Sequence, residues 1–336
     1  MSKNRSSCTP LPEFCTLSIV IPVYNERDVL PLFYRRLARA LADLPSENEV
    51  LFVDDGSTDD TPQILEALRQ GDSRVGVARL TRNFGKERAI SAGLELARGD
   101  AVVIIDADLQ DPPEQIVHMF QAWQAGAEVV NMRRRQRDGE TLLKKATSHA
   151  FYRVINRISD VPIAHDVGDF RLLSRRAVTA LNSLPERCRF MKGMFAWIGF
   201  EQVTLDYDRH ARHAGRTKWQ YWGLWNYALD GITSFSTAPL KLAMYTGLIS
   251  AISAFLYAFY FLLKAIIVGD PVQGFPTLII TMLLLGGLQL IAAGVMGEYI
   301  GRLYVEVKQR PQYVLSYYHQ ASINANSTKS LNHQIT

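Results

Sequence analysis

The sequence predicts an α/β domain on a mainly parallel sheet with helices on both sides, followed by a hairpin of two membrane-crossing helices. Two observations carry this expectation. From Leu17 to Met132, short apolar runs alternate with segments of helical periodicity. Further on, the 22 residues between Lys241 and Lys264 carry no charge, nor do the 27 between Asp270 and Glu298. At 1.5 Å per residue, 22 residues span about 33 Å, enough to cross a bilayer core. A pair of buried core helices is the alternative, but two such runs back to back, rich in aromatic residues, suit lipid better.

The elements read in order. Leu17–Val23 is a strand, and Asp28 to Leu44 has helical periodicity. Glu49–Val53 is a second strand, ending in Asp54-Asp55-Gly56-Ser57. Thr58 or Asp59 caps the next helix, with Pro62 in its first turn. Val75–Leu80 is a third strand, and a helix over Glu87–Ala97 stops at Gly99. Ala101–Ile105 is the fourth strand, Pro112 opens another helix, and Glu128–Met132 is the fifth strand. Thr141 to Ile158 and Trp219 to Thr237 are amphipathic candidates for interfacial helices. The second of these holds three of the five tryptophans.

Composition narrows the function classes. The 336 residues suffice for one large domain or two smaller parts, and 48% are hydrophobic. A net charge of +4, with no aromatic-basic base-reading motif, does not suggest a nucleic-acid binder. Three cysteines without a CxxC indicate neither a disulfide framework nor a zinc site and fit a reducing compartment. Residues 1–16 read as a flexible N-terminus rather than a secretory signal. Arginine and lysine flank both apolar runs on their outer sides, while the hairpin between has only Lys264 and Asp270. By the positive-inside rule, the large domain and the C-terminus are cytoplasmic.

The chemistry gathers where strands end, the edge at which open α/β sheets bind ligands. The fourth strand runs into Asp106-Ala107-Asp108-Leu109-Gln110. Mg²⁺ and Mn²⁺ take hard oxygen ligands, and Mg²⁺ commonly takes one or two carboxylates plus substrate phosphates. The pentapeptide therefore suggests a divalent ion held against a diphosphate; an ordinary polar turn is the plainer reading. Other strand ends supply Pro22-Val23-Tyr24-Asn25-Glu26, Arg82-Asn83-Phe84-Gly85-Lys86 and, as later loops, Gly168-Asp169-Phe170-Arg171 and Arg212 to Lys218. There is no GxGxxG after the first strand and no GxxxxGK[ST]. His210 and His213 lack a third ligand and read as loop polarity.

Ile21-Pro22-Val23-Tyr24-Asn25-Glu26, the Val53–Asp59 turn and Asp106–Pro113 resemble family 2 glycosyltransferases of the GT-A fold. Within that family the chain is similar to the polyprenyl-phosphate hexose transferases, relatives of dolichyl-phosphate mannose synthase. Leu80–Glu87, Val167–Leu172, Phe190–Gly193 and Gly297–Arg302 narrow the resemblance to the bactoprenol glucosyltransferases of bacteria and their prophages. It runs from about Leu17 to Tyr313.

The resemblance implies a cytoplasmic GT-A catalytic domain over 17–218 and an interfacial amphipathic helix over 219–238. It implies two transmembrane helices within 239–300, at about 241–264 and 275–297, and a cytoplasmic tail over 301–336. Asp106 and Asp108, with Gln110, would hold Mg²⁺ or Mn²⁺ on a nucleotide sugar. Pro22, Tyr24 and Glu26 would line the nucleoside, Asp54 would accept from uracil, and Asp55 and Lys86 would join the donor site. The acceptor would be undecaprenyl phosphate, met by Arg133, Arg134, Arg135, Arg171, Arg212 and Lys218, since arginine's planar fork suits phosphate. Asp108, Asp169 and Arg171 are the catalytic candidates, with Asp169 orienting the sugar or the arginines.

The expected reaction is inverting transfer of glucose from UDP-glucose to undecaprenyl phosphate. It would make a lipid-linked sugar for cell-envelope or O-antigen glycosylation, at the bacterial inner membrane. Relatives also imply a homotetramer. GDP-mannose, UDP-GlcNAc, UDP-galactose and UDP-aminoarabinose are alternative donors. A membrane polysaccharide synthase is a further alternative, but Gln220-Tyr221-Trp222-Gly223 lacks the Gln-x-x-Arg-Trp pattern, and two spans do not readily enclose a polymer. A scaffold with a dead transferase domain is disfavoured by the intact Asp106, Asp108 and Gln110.

Overall fold

The computed structural model describes residues 15–134, 167–187, 189, 191–207, 238–268 and 274–322. The chain divides into two compact units. One comprises Met1–Tyr152, Val161–Gln220 and Pro311–Thr336; the other comprises Arg153–Asp160 and Tyr221–Arg310.

The first unit is built on a sheet of eight strands. These are β1 (Thr16–Val23), β2 (Glu47–Asp54), β3 (Val75–Leu80), β4 (Ala101–Ile104), β5 (Val129–Arg134), β6 (Val167–Ser174), β7 (Gln202–Tyr207) and β8 (Leu315–His319). Their order across the sheet is β7-β5-β6-β4-β1-β2-β3-β8. Strands β4, β1, β2 and β3 are parallel neighbours, and β5 and β7 are parallel to each other. β6 lies antiparallel between β4 and β5, and β8 is antiparallel to β3. The sheet is mainly parallel, as expected, with two departures. Gly168–Arg171, read in the sequence as a loop, belongs to β6, where Arg171 pairs with Ile104 on one side and Asn131 on the other. Leu315–His319, assigned above to a tail, is an edge strand.

Helices cover both faces. On one, Leu17, Ile19, Ile21 and Val23 of β1 join a core with α1 (Leu30–Ala42), α2 (Thr61–Gly71) and α4 (Ile116–Gln124). Leu30, Phe33, Leu37 and Leu41 line the inner side of α1 at helical spacing. On the opposite face α3 (Lys86–Leu96) packs against β1 and β2. Gly93 permits that approach, since a Cβ there would stand 2.2 Å from a Val20 methyl. Burial on both faces explains why the strands read as unbroken apolar runs. Two shorter helices, α5 (Arg175–Asn182) and α6 (Met191–Trp197), follow β6.

β8 is tied down beyond its ladder. Arg98 donates to Glu49 through Nε (3.1 Å) and Nη2 (2.9 Å), and Nη2 also reaches the Ala321 carbonyl at 2.8 Å. Glu49 is buried and accepts from the Ser18 hydroxyl at 2.6 Å. The Ser322 N–H donates to the Ser73 carbonyl at 2.8 Å. β8 thereby covers the edge of β3 and makes a short strand the edge of the sheet.

The second unit contains α7 (Ala238–Val268) and α8 (Phe275–Lys308), which pack against each other. Both are long and apolar enough to cross a membrane, with windows at Pro239–Tyr257 and Leu284–Lys308 of mean hydropathy 1.4 and 1.3. Large side chains such as Phe255 and Leu290 point outward, at 71% and 75% exposure, a surface that water does not suit. The two candidate interfacial helices, 141–158 and 219–237, lie outside the described residues.

Arg98→Ala would leave the buried Glu49 carboxylate short of its cation. A loss of about 3 kcal/mol is expected, as for a broken buried pair. The unfolding temperature should fall, and protease should cut sooner around Leu315–His319. Unchanged proteolysis there would show that Arg98 does not hold the strand.

Candidate active site

Three loops at the carboxyl edge of the sheet are stitched together by their own polar groups. Asn25, after β1, adopts a left-handed conformation (φ 52°). Its N–H donates to Ser57 Oγ and its Oδ1 accepts from the Thr58 N–H, both at 2.9 Å. The Glu26 N–H donates to Thr61 Oγ1 at 3.0 Å. After β2, Asp54 Oδ1 accepts from the Ser57 N–H at 2.9 Å. Asp55 reaches the third loop, accepting from the Phe84 and Gly85 N–H groups at 2.7 and 2.9 Å. Gly85, at φ +99°, then starts α3 with Lys86 as its first residue.

Lys86 stands at the centre. Its Nζ donates to Asp106 Oδ2 at 2.8 Å and to Asp169 Oδ2 at 2.6 Å. It thus joins the end of β4 to β6. Burial opposes the charge on Lys86, but Asp106 and Asp169 outweigh it and hold the ammonium above the ordinary lysine range. Burial raises Asp106, and Asp169, Asp111 and Asp108 add to this against the pull of Lys86. Burial would raise Asp169 too, but Lys86 and then Lys192 hold it below the usual carboxylate range. These groups titrate as a set.

The acidic loop itself is bent by a non-glycine residue in left-handed conformation, Leu109 (φ 61°), which is fully buried. The Gln110 N–H donates to Asp108 Oδ1 at 3.1 Å, and Asp108 remains half-buried. Next in the chain, the buried Asp111 accepts from the Tyr207 hydroxyl, and Arg134 Nε donates to that hydroxyl at 3.1 Å. Beside Asp169, Arg171 lies 3.7 Å over the Phe195 ring and donates from Nη2 to the Gly168 carbonyl at 2.7 Å. A small pocket there is lined by Asn131, Arg171, Lys192, Phe195 and Gln202.

The residues singled out from the sequence fall into three groups. Lys86, Asp106 and Asp169 meet directly, with Asp108 and Gln110 on the same loop as Asp106; Pro22 near the end of β1, and Tyr24 and Glu26 on the loop after it, lie half-exposed. Others are placed differently from expectation. Asp54 has no exposed surface; its Oδ1 accepts from the Ser57 N–H and its Oδ2 stands 3.3 Å from Arg79 Nε. Asp55 likewise braces a loop. Arg133 pairs with Asp206 through two hydrogen bonds, at 2.7 and 3.0 Å. Arg134 serves Tyr207 and Asp111, and Arg171 is only 3% exposed, so neither presents an open fork to a phosphate. Arg135, Arg212 and Lys218 lie outside the described residues. Asp111, Tyr207, Lys192 and Glu87 were not singled out; Asp111 adjoins the acidic loop, and Glu87 and Lys192 lie within motifs that carried the resemblance, whereas Tyr207 had no signal in the sequence.

The donors present suit a hard divalent ion. Asp106, Asp108 and Gln110 offer oxygens only, and Gln110 Oε1 is buried with no hydrogen-bond partner, an atom that a cation would satisfy. Among the described residues, no three His, Cys, Asp or Glu side chains are grouped to hold an ion by themselves. Such a site would be completed by oxygens of a substrate.

A family model described as "Glycosyl transferase family 2" matches residues 18–181. An uncharacterized glycosyltransferase of Synechocystis sp. is 49% identical over 300 residues, covering 89% of this chain and 94% of its own. The chain belongs to glycosyltransferase family 2. This transferase is also 47% identical to the bactoprenol glucosyl transferase of Shigella phage SfV, over 89% of this chain and 97% of that one. Among solved structures, mannosyl-3-phosphoglycerate synthase from Rubrobacter xylanophilus matches with a TM-score of 0.45 and 20% identity, over 64% of this chain and 71% of that one.

Glu87 of the transferase gives the site a pH signature. Its Oε2 is buried without a hydrogen-bond partner, and burial, then Asp169, push its carboxyl from an ordinary 4.5 up to about 8. A pKa raised on folding adds stability that is complete below the unfolded value and is lost as pH rises through the folded one. The window is therefore about pH 4.5 to 8. Glu87→Gln keeps the shape without the charge. It should match the wild type in thermal unfolding near pH 4 and exceed it above pH 8; parallel profiles would show that folding leaves the Glu87 pKa where it is in the unfolded chain.

Proposed function

We propose that the transferase moves a glucosyl group, with inversion, from UDP-glucose to undecaprenyl (bactoprenyl) phosphate on the cytoplasmic side of the bacterial inner membrane. The reading is carried by one juxtaposition: an acidic loop of diphosphate-site character at a sheet edge, in a chain with two apolar helices suited to a lipid acceptor. The phage relative, named for glucosyl transfer to bactoprenol, supports both the sugar and the acceptor.

Asp106, Asp108 and Gln110 would hold Mg²⁺ or Mn²⁺. When bound, that ion would neutralise charge on the departing UDP. Pro22, Tyr24 and Glu26 would line the nucleoside, the last two on a loop that Ser57 and Thr61 hold through Asn25 and Glu26. An oxygen of the acceptor phosphate forms the new bond to the anomeric carbon as the bond to UDP breaks, and the electron pair leaves with UDP. No general base is required, because a phosphate monoester with second pKa of about 6 is mostly dianionic at neutral pH. The acceptor needs cations instead. Arg133, half-exposed beside Asp206, would supply part of them, with Arg135, Arg212 and Lys218. Arg171, which donates to the Gly168 carbonyl, would add positive charge near Asp169 and so help to orient it.

The test uses the full chain in detergent with Mg²⁺, undecaprenyl phosphate and a panel of UDP- and GDP-sugars, with the lipid product identified by mass. A hexosyl product from UDP-glucose is expected. Product from GDP-mannose alone would replace the sugar in this reading, and no lipid product from any donor would overturn the acceptor. Separately, Asp108→Ala should lower turnover by about a hundredfold or more, the scale of losing a group that meets developing charge. Undiminished turnover in that variant would remove Asp108 from the metal site.

A further inference from the structure

Lys86 has a feature that donor binding alone does not require. Its ammonium contacts two carboxylates at once, at 2.8 and 2.6 Å, and one of them belongs to the acidic loop. Its side chain is nevertheless 42% exposed, with Asp106 and Asp169 at 25% and 17%, so the cluster is open to solvent and to an incoming ion. It is carried by the first turn of α3, just after Gly85, whose φ is positive. Asp108 and Asp111 add further negative charge around Asp106.

We propose that Lys86 is a built-in counter-ion: it holds Asp106 and Asp169 together in the donor-free protein and gives up Asp106 to a divalent cation arriving with the nucleotide diphosphate, while keeping Asp169. The proposal rests on the metal reading of Asp106, Asp108 and Gln110. An ammonium and a divalent ion on one carboxylate repel each other. The diphosphate brings the negative charge that lets both remain. Lysine thereby makes metal binding depend on the donor. By linkage, the same coupling makes donor binding depend on the metal. The compact, mobile ammonium suits this role, because it can follow one carboxylate while leaving the other.

The experiment titrates Mn²⁺ into the detergent-held full chain, by loss of the free-Mn²⁺ paramagnetic resonance signal, with and without UDP. Wild type, Lys86→Gln and Lys86→Arg are compared. Wild type should bind Mn²⁺ weakly alone and more tightly with UDP. Lys86→Gln should bind Mn²⁺ alone about tenfold more tightly than wild type, a coupling of ordinary size, and gain less from UDP. Lys86→Arg, which keeps the charge, should stay near wild type and shows that the site survives substitution. Equal Mn²⁺ affinity of wild type and Lys86→Gln without UDP, alongside normal binding with UDP, overturns the counter-ion role and leaves the metal reading standing. No Mn²⁺ binding to any of the three proteins, with or without UDP, overturns both.

Discussion

Four aspartates at the end of one sheet, Asp106, Asp108, Asp111 and Asp169, repel one another unless cations stand among them. The arrangement of the site follows from that need. Lys86 spans Asp106 and Asp169, Arg134 and the Tyr207 hydroxyl meet Asp111, and Lys192 adds positive charge near Asp169. Each of these groups comes from a different element. Lys86 is aimed by a chain of contacts that starts on β2: Asp55 fixes the Phe84 and Gly85 amides, and Gly85 launches α3. A carboxylate two strands away thus determines where the central ammonium stands. Gly56 helps this loop approach closely, since a Cβ there would lie 2.4 Å from the Arg82 carbonyl carbon.

The two antiparallel strands serve different ends. β6 enters between β4 and β5 and so brings Asp169 beside Asp106, which a purely parallel alternation would not do. β8 closes the far edge. It begins at Leu315, seven residues after α8 ends at Lys308, so the chain leaving the apolar helices returns at once to the sheet of the first unit. Its anchor at Glu49, Arg98 and Ala321 lies among residues more than two hundred positions apart in sequence.

The local elements of the first unit were legible because each buries both faces of a strand or one stripe of a helix. The expected strand Leu17–Val23 and the observed Thr16–Val23 differ by one residue, and Glu87–Ala97 became Lys86–Leu96. The acidic loop was legible for a related reason: polar residues directly after an apolar strand have one place to go. What could not be read was partnership across long separations. Tyr207 is paired with Asp111, 96 positions away, and Arg133 with Asp206, 73 positions away. A run of three arginines looks alike whether its members meet a ligand or their own carboxylates. The burial of Asp54 was equally illegible, since a carboxylate at a strand end reads as exposed, yet this one has no exposed surface and accepts from the Ser57 N–H.

Asp169 shows how charge balance bears on mechanism. Its position beside the acidic loop would suit a catalytic base, but Lys86 and Lys192 hold its pKa below the ordinary carboxylate range. A base works best when its pKa lies near the operating pH. Asp169 is thereby a poor proton acceptor, however well placed. An acceptor that is already a phosphate dianion has no proton to give. The same lysine that spoils Asp169 as a base makes it a fixed negative partner, able to hold Lys86 when Asp106 turns to another cation. A site with its carboxylates balanced this way suits an anionic nucleophile, which needs no base, better than a hydroxyl, which does.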